Sequence, residues 1–159
     1  MNAARPIGFW YYPYGREEAL PDPSALVCPG WVHAEEIKKL IAYLKAGATY
    51  ETWRGLSYCR FRCLVDNREM GCRDFTDGLW VWPEGLNHYV ERHDVRLPDD
   101  FVAHCRANKW VIPADAAARV ELSHDLDFSS WIAWARSVQN SADPAVQRMG
   151  LRRAEKHGA

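Results

Sequence analysis

The 159-residue sequence predicts one α+β domain, in which a small antiparallel sheet packs against an N-terminal aromatic arm and several helices. Three observations support this class. Helical periodicity appears near position 40, β-prone residues fill positions 48–83 around an Asp-Gly pair, and amphipathic stretches return after that pair. We place the domain at 1–143, with the arm at 1–33, and a basic helical tail at 144–159.

The first segment is rich in proline and in aromatic residues. Residues 1–33 contain five prolines, and the run Phe9-Trp-Tyr-Tyr-Pro-Tyr14 includes one of them, which a helix interior does not tolerate. Large aromatic rings bury much apolar area when they pack. We therefore expect an extended arm that contacts the domain through its rings.

The most regular helical pattern follows in the stretch "AEEIKKLIAYLKAG". Two acids, Glu35 and Glu36, fall in its first turn, Lys45 falls in its last turn, and Gly47 ends the pattern. The apolar residues recur at spacings of three and four, which predicts a helix with a stripe formed by Ile37, Leu40, Ile41 and Leu44.

Residues 72–82 predict a β-hairpin. The stretch "RDFTDGLWVWP" places Asp77-Gly78 between two strand-like runs, and Asp-Gly supplies the backbone angles that a tight hairpin needs. Pro83 suits the first turn of a following helix, and Pro98 with two acids after it suits the start of another. The stretch "DFSSWIAWARSVQ" predicts a further amphipathic helix.

The overall composition excludes several classes of partner. A net charge of -1 argues against generic binding to nucleic acid. No uncharged apolar segment reaches about 18 residues, and the N-terminus lacks the pattern of an export signal, so we expect a cytoplasmic protein with no membrane partner. Five cysteines cannot all pair internally, so we expect free, buried or metal-bound thiols.

The stretch Cys59-Arg-Phe-Arg-Cys63 raises the hypothesis of a zinc-binding protein, either structural or hydrolytic. Its ligands would be Cys59, Cys63, Cys72 and His88, and zinc is the one cofactor that the sequence suggests. We favour a different interpretation. If Tyr58–Leu64 is a strand, Cys59 and Cys63 lie about 13 Å apart, too far to share an ion, and their thiols pack as small apolar groups.

The histidines give this zinc hypothesis limited support. His88 and His93 are five residues apart, which places their side chains about 140° apart around a helix axis. We therefore expect one zinc ligand from this helix and not two.

A cluster of arginines carries the leading functional hypothesis. Arginine recognises carboxylates and phosphates through two parallel hydrogen bonds, and nearby aromatic rings can stack on a ligand. The sequence thus predicts a binding or accessory protein with a pocket for an anionic small molecule or a partner protein segment, built from Arg54, Arg60, Arg62, Arg73, Trp53, Tyr58 and Trp82. The alternative is a surface lattice in which these arginines pair with nearby acids.

Whether the protein is an enzyme stays open. On a helix opening at Pro83, Glu84 and His88 share one face, and a carboxylate beside an imidazole can support acid–base chemistry. The candidate catalytic residues are His88, Glu84 and Asp77, although a solvated helix face has the same pattern and Asp77 is explained as a turn residue. No motif of a named reaction class is present.

The segment "CRFRC…MGCRDFTDGLWVWPEGLNHYVERHDVRLPDDFVAH", about Arg54 to His104, resembles a family of small bacterial proteins. That family shares a Cys-Arg-Phe stretch, a Thr-Asp-Gly turn and a Trp-Pro-Glu-Gly-Leu-x-His-Tyr-Val helix start, and it has no agreed function. The resemblance implies a recurrent domain of bacterial, cytosolic origin. It also directs interest to Cys59, Cys63, Asp77, Trp82, Glu84 and His88, without assigning them any chemistry.

Overall fold

The structure, a computed structural model, describes residues 1–141. It confirms the α+β class, with six α-helices, one short 3-10 helix at Pro23–Leu26 and a four-stranded sheet in this part of the chain. The predicted tail at 144–159 lies outside the described residues. The elements are β1 Arg5–Pro6, α1 Ala34–Lys45, β2 Ala48–Thr52, α2 Asn67–Met70, β3 Arg73–Thr76, β4 Trp80–Pro83, α3 Leu86–His93, α4 Asp99–Ala107, α5 Ala116–Arg119 and α6 Ser129–Asn140.

The sheet has the strand order β1-β4-β3-β2. Strands β2, β3 and β4 are antiparallel, as predicted, and the two-residue β1 adds a parallel edge that was not predicted. The hairpin turn falls at Asp77-Gly78, with Gly78 at a φ of 97°. The Asp77 carboxylate accepts hydrogen bonds from the backbone N–H groups of Leu79 and Trp80, which fixes the turn.

The alternation of side chains along β4 gives the sheet two different faces. Trp80 and Trp82 point into the main core, where Trp82 is fully buried against Tyr43 of α1 and Phe101 of α4. Val81 points the other way, into a smaller apolar cluster with Tyr50 and Val120. Most of the buried residues therefore lie on the side of the sheet that α1, α3 and α4 cover.

The N-terminal arm packs onto this core as predicted, although only some of its rings are buried. Trp10 contacts the rings of Tyr89 and Trp131, at centroid distances of 5.2 and 5.6 Å. The indole N–H of Trp131 donates to the backbone carbonyl of Phe9 at 2.8 Å. These contacts join the arm to α3 and α6.

The helix that follows the hairpin begins later than the sequence predicts. Pro83 is the last residue of β4 and pairs with Asp74 of β3, so the prediction of a helix opening at Pro83 is wrong. Gly85 is the N-cap and Leu86 is the first helical residue. Proline suits the end of a strand as well as the first turn of a helix, because neither position requires a backbone N–H for a hydrogen bond.

None of the helices within residues 1–141 has the length and apolar character needed to cross a membrane.

Candidate metal centre and neighbouring cavity

The loop between β2 and α2 folds back on itself at the two cysteines. The backbone N–H of Arg62 donates to the carbonyl of Cys59 at 2.9 Å, and Arg62 has a left-handed φ of 52°. The expectation of a strand over Tyr58–Leu64 is therefore wrong. An i to i+3 hydrogen bond of this kind reverses the chain direction, so Cys63 returns towards Cys59 instead of lying about 13 Å away.

Four side chains from two parts of the chain converge behind this turn. One ligand atom of each lies within 4.8 Å of the others, and the set consists of Cys59, Cys63, His88 and His93. The Nε2 atoms of the two histidines are 3.2 Å apart. The Sγ atom of Cys63 lies 3.2 Å from Nε2 of His88, and that of Cys59 lies 3.4 Å from Nε2 of His93.

These separations are close to the edges of a zinc tetrahedron. With Zn–N of about 2.05 Å and Zn–S of about 2.3 Å, tetrahedral angles place two nitrogens about 3.3 Å apart, nitrogen and sulfur about 3.6 Å apart, and two sulfurs about 3.8 Å apart. The distance between the two nitrogens and the two distances between nitrogen and sulfur are shorter than the corresponding edges by up to a few tenths of an ångström, and the other pairs of ligand atoms lie within 4.8 Å. A Cys2His2 group with this spacing could hold a metal ion.

Both histidines belong to the cluster, which corrects the expectation of one candidate ligand from α3. That expectation projected the side chains straight outwards from the helix axis. An imidazole ring extends well beyond its Cβ atom, and Nε2 of His93, the last residue of α3, lies 3.2 Å from Nε2 of His88. The two ring centroids are only 5.0 Å apart.

The surroundings of the cluster shield it partly from water. Cys59 and His88 are buried, and Phe61 stacks on the His93 ring at a centroid distance of 4.2 Å and an interplanar angle of 13°. Burial raises the pKa of the Cys59 thiol and lowers the pKa of the His88 imidazole. Without a cation, both groups are thus biased towards their neutral forms.

Cys72 is not part of the cluster, so its prediction as a metal ligand is corrected. It follows α2, and its backbone N–H donates to the carboxylate of Glu84 at 3.0 Å. All five cysteines are free of disulfides. Of the four metal ligands predicted from the sequence, the structure brings together Cys59, Cys63 and His88.

The three candidate catalytic residues do not form a common site. Glu84 pairs with Arg73, with Oε1 2.6 Å from Nη2, and this guanidinium is the main cause of its lowered pKa. Asp77 is 2% exposed, and besides fixing the turn it accepts a hydrogen bond from the Tyr43 hydroxyl and lies 3.2 Å from Nε2 of His104. His88 belongs to the metal cluster.

Of the seven predicted ligand-binding residues, three line one cavity. Arg60, Arg73 and Trp53 line a cavity, whereas Arg54 and Arg62 are exposed and do not line it. Tyr58 lies beneath the Arg60 guanidinium, 4.2 Å from its carbon atom to the ring centroid. Trp82 is fully buried in the core and donates its indole N–H to the carbonyl of Leu44, so its prediction as a ligand contact is corrected.

This cavity has a volume of about 810 Å³. It lies between the arm, the start of β3 and the loop of residues 53–66 that joins β2 to α2, here called the cysteine loop. Its wall is mostly aromatic and apolar, with contributions from Phe9, Trp10, Tyr12, Leu20, Trp53, Leu56, Met70, Tyr89, Leu126 and Phe128. Its charged groups are Arg16, Arg60, Arg73, Asp74 and Glu84. The cavity and the metal cluster share one loop, because Arg60 lies between the two clustered cysteines in sequence.

His93 is the member of this cluster that the sequence analysis missed, although the sequence does contain a signal for it. Three residues separate Cys59 from Cys63, and four separate His88 from His93. Both gaps fall within the ranges found in structural Cys2His2 zinc sites.

No family model, curated protein or solved structure matches the chain.

Proposed function

We propose that the protein binds one zinc ion through Cys59, Cys63, His88 and His93. The observation that carries this proposal is the convergence of two thiols and two imidazole nitrogens within 4.8 Å. In this proposal the ion has a structural role and holds the cysteine loop against the end of α3.

The identity of the metal follows from the chemistry of its ligands. Thiolate and imidazole are the ligands of zinc and other thiophilic ions, whereas calcium and magnesium require oxygen ligands. A tetrahedral set of two sulfurs and two nitrogens is typical of zinc. The lowered pKa of His88 is consistent with a neutral ring, the form that coordinates a metal.

The number of protein ligands favours a structural role over a hydrolytic one. Catalytic zinc sites keep one position open for water or substrate, while structural sites fill all four positions with side chains. Here four side chains are available, and Phe61 covers the His93 ring. The ion would cross-link residues that are 25 to 34 positions apart along the chain.

Metal analysis of the purified protein tests the proposal. We expect about one equivalent of zinc in wild-type protein prepared without added metal, and loss of that zinc in Cys63→Ser and in His93→Asn. Cys72→Ser is the matched control, because it removes a thiol from a nearby residue outside the cluster, and it should retain the zinc. Cobalt substitution should give the visible absorption of a tetrahedral thiolate site in wild type and in Cys72→Ser only.

Two results would contradict the proposal. One is wild-type protein that neither contains nor takes up zinc at equimolar concentration. The other is loss of zinc in Cys72→Ser with retention in Cys63→Ser, which would place the metal elsewhere.

A further inference from the structure

We propose that the cavity beside the cysteine loop binds a monocarboxylate with a flat aromatic body, and that the carboxylate pairs with Arg60. This site is separate from the proposed zinc site, although the two share a loop. The ligand class follows from the wall, the charges and the hydrogen bonding of Arg60.

The size and the wall of the cavity fit a small organic ligand. Its volume of about 810 Å³ falls within the usual range for such sites. The rings of Phe9, Tyr12, Trp53, Tyr89 and Phe128 contribute to the wall, and aromatic walls favour a ligand with a flat apolar body. Trp53 is 51% exposed, so a large ring is already present at the wall and available for contact.

Arg60 provides a cation whose hydrogen bonds are incomplete. Its Nη1 donates to the carbonyl of Tyr58 at 2.9 Å, while its Nε atom is buried and has no hydrogen-bond partner within residues 1–141. No carboxylate in that part of the chain forms an ion pair with it. The Nε atom is enclosed by protein, so a ligand carboxylate would pair with the guanidinium through Nη2, which forms no hydrogen bond within the described residues.

Neighbouring rings hold this guanidinium in place. Its carbon atom lies 4.2 Å from the Tyr58 ring centroid and 5.9 Å from that of Tyr12. The backbone N–H of Arg60 also donates to the Tyr89 hydroxyl at 3.0 Å. Because the side chain is already positioned, less rotamer freedom is lost when it pairs with an anion.

The remaining charges favour a single negative charge on the ligand. Arg73 also lines the cavity, but Glu84 neutralises it at 2.6 Å. With Glu84 paired to Arg73, the remaining carboxyl group in the wall is that of Asp74, which would repel a phosphate dianion more strongly than a carboxylate. Arg16, an exposed residue of the arm, adds one further cation at the wall.

Calorimetric titration with 2-naphthoate and with its neutral analogue 2-naphthamide tests the proposal. With wild-type protein purified with its metal, we expect 2-naphthoate to bind at least about tenfold more tightly than the amide. Arg60→Gln should lower the affinity for 2-naphthoate about tenfold or more, to the level of the amide. Arg54→Gln and Arg62→Gln are matched controls, because both arginines are exposed and outside the cavity, and they should bind like wild type.

The comparison of 2-naphthoate with 2-naphthamide uses wild-type protein alone. It therefore tests the proposal even if Arg60→Gln disturbs the loop. Equal affinities of wild type for the two compounds, or no heat with either at millimolar concentration, would overturn it. Equal losses in Arg60→Gln and Arg62→Gln would overturn it as well, because they would indicate a diffuse charge effect. The zinc content of each variant, measured on the same samples, separates failure of this site from failure of the metal site.

Discussion

Asp74 shows how one residue at the cavity wall can set the pH dependence of stability. It is 5% exposed, and its carboxylate accepts a hydrogen bond from the indole N–H of Trp53 at 2.9 Å. Burial raises its pKa from 3.8 to about 6, partly offset by the Trp53 hydrogen bond, and Glu51 raises the pKa further. The folded protein therefore retains a proton on Asp74 at pH values where the unfolded chain has lost it.

We predict that Asp74→Asn is more stable than wild type at pH 7 and about as stable at pH 4. Because the folded-state pKa is raised, the wild-type carboxyl destabilises the folded state as pH rises from about 4 to about 6. The penalty at pH 7 is on the order of 3 kcal/mol, and Asn, which carries no charge, avoids it. Urea denaturation of both proteins at pH 4 and pH 7 measures the effect. A difference between the proteins that does not change with pH would contradict it.

Among the secondary-structure elements, the helix α1 and the hairpin were predicted correctly, because each has a signal in its own stretch of sequence. The helix α1 spans Ala34–Lys45, as its periodicity and terminal charges indicate, and the Asp77-Gly78 turn lies where predicted. The cysteine loop has no such signal. Its alternating residues are typical of a strand, but the turn at Cys59–Arg62 places Arg62 in a left-handed conformation that arginine seldom adopts.

The connection between α1 and β2 depends on the absence of a side chain at position 47. A Cβ atom there would lie 2.6 Å from Cβ of Phe75 and 2.8 Å from Cζ2 of Trp82. Phe75 and Trp82 are both buried and cannot move without disturbing the core.

We therefore predict that Gly47→Ala lowers the free energy of unfolding by about 1 to 3 kcal/mol, the usual cost of overpacking a core. Gly55→Ala is the matched control, because its Cβ would meet no atom within 4 Å, and its effect should stay within about 0.5 kcal/mol. Urea denaturation measures both changes. Equal effects of the two substitutions would show that close packing at Gly47 is not the cause.

At the scale of the whole molecule, the core does not depend on the proposed ion alone. The main cluster of buried residues unites α1, the hairpin and α4 through Leu40, Phe75, Trp82 and Phe101, none of which is a ligand. The cysteine loop is different, because residues 53–66 contain no helix or strand. We therefore expect cross-linking by the proposed ion to contribute most to the stability of this loop.

We predict that removal of the metal with a chelator leaves a folded protein that melts about 10 °C lower, a shift that corresponds to a few kcal/mol at this chain length. Hydrogen exchange should become faster in residues 54–66, while the hairpin at 73–83 and α1 remain protected. Cys63→Ser treated with the same chelator is the control and should show no further shift. Complete unfolding on chelation, or unchanged exchange in the loop, would contradict this prediction.

The fold of the whole molecule also explains why the Cys2His2 cluster was only partly predictable. The types of ligand could be inferred from Cys59, Cys63 and His88, and the spacing of His88 and His93 carried a further signal. What brings the sulfurs to the imidazoles is the packing of the loop against α3, including the hydrogen bond from Arg60 to Tyr89. Contacts of this kind join residues far apart in sequence, and no local pattern encodes them.

The two edge strands of the sheet affect how readily strands of different molecules can pair at high protein concentration. One edge strand, β1, has only two residues, and Pro6 in it has no N–H to offer another chain. The other edge strand, β2, is interrupted by an irregularity between Thr49 and Glu51. Short, proline-containing or bulged edge strands are poor templates for strand addition between molecules. Both edges of this sheet therefore disfavour aggregation through intermolecular strand pairing.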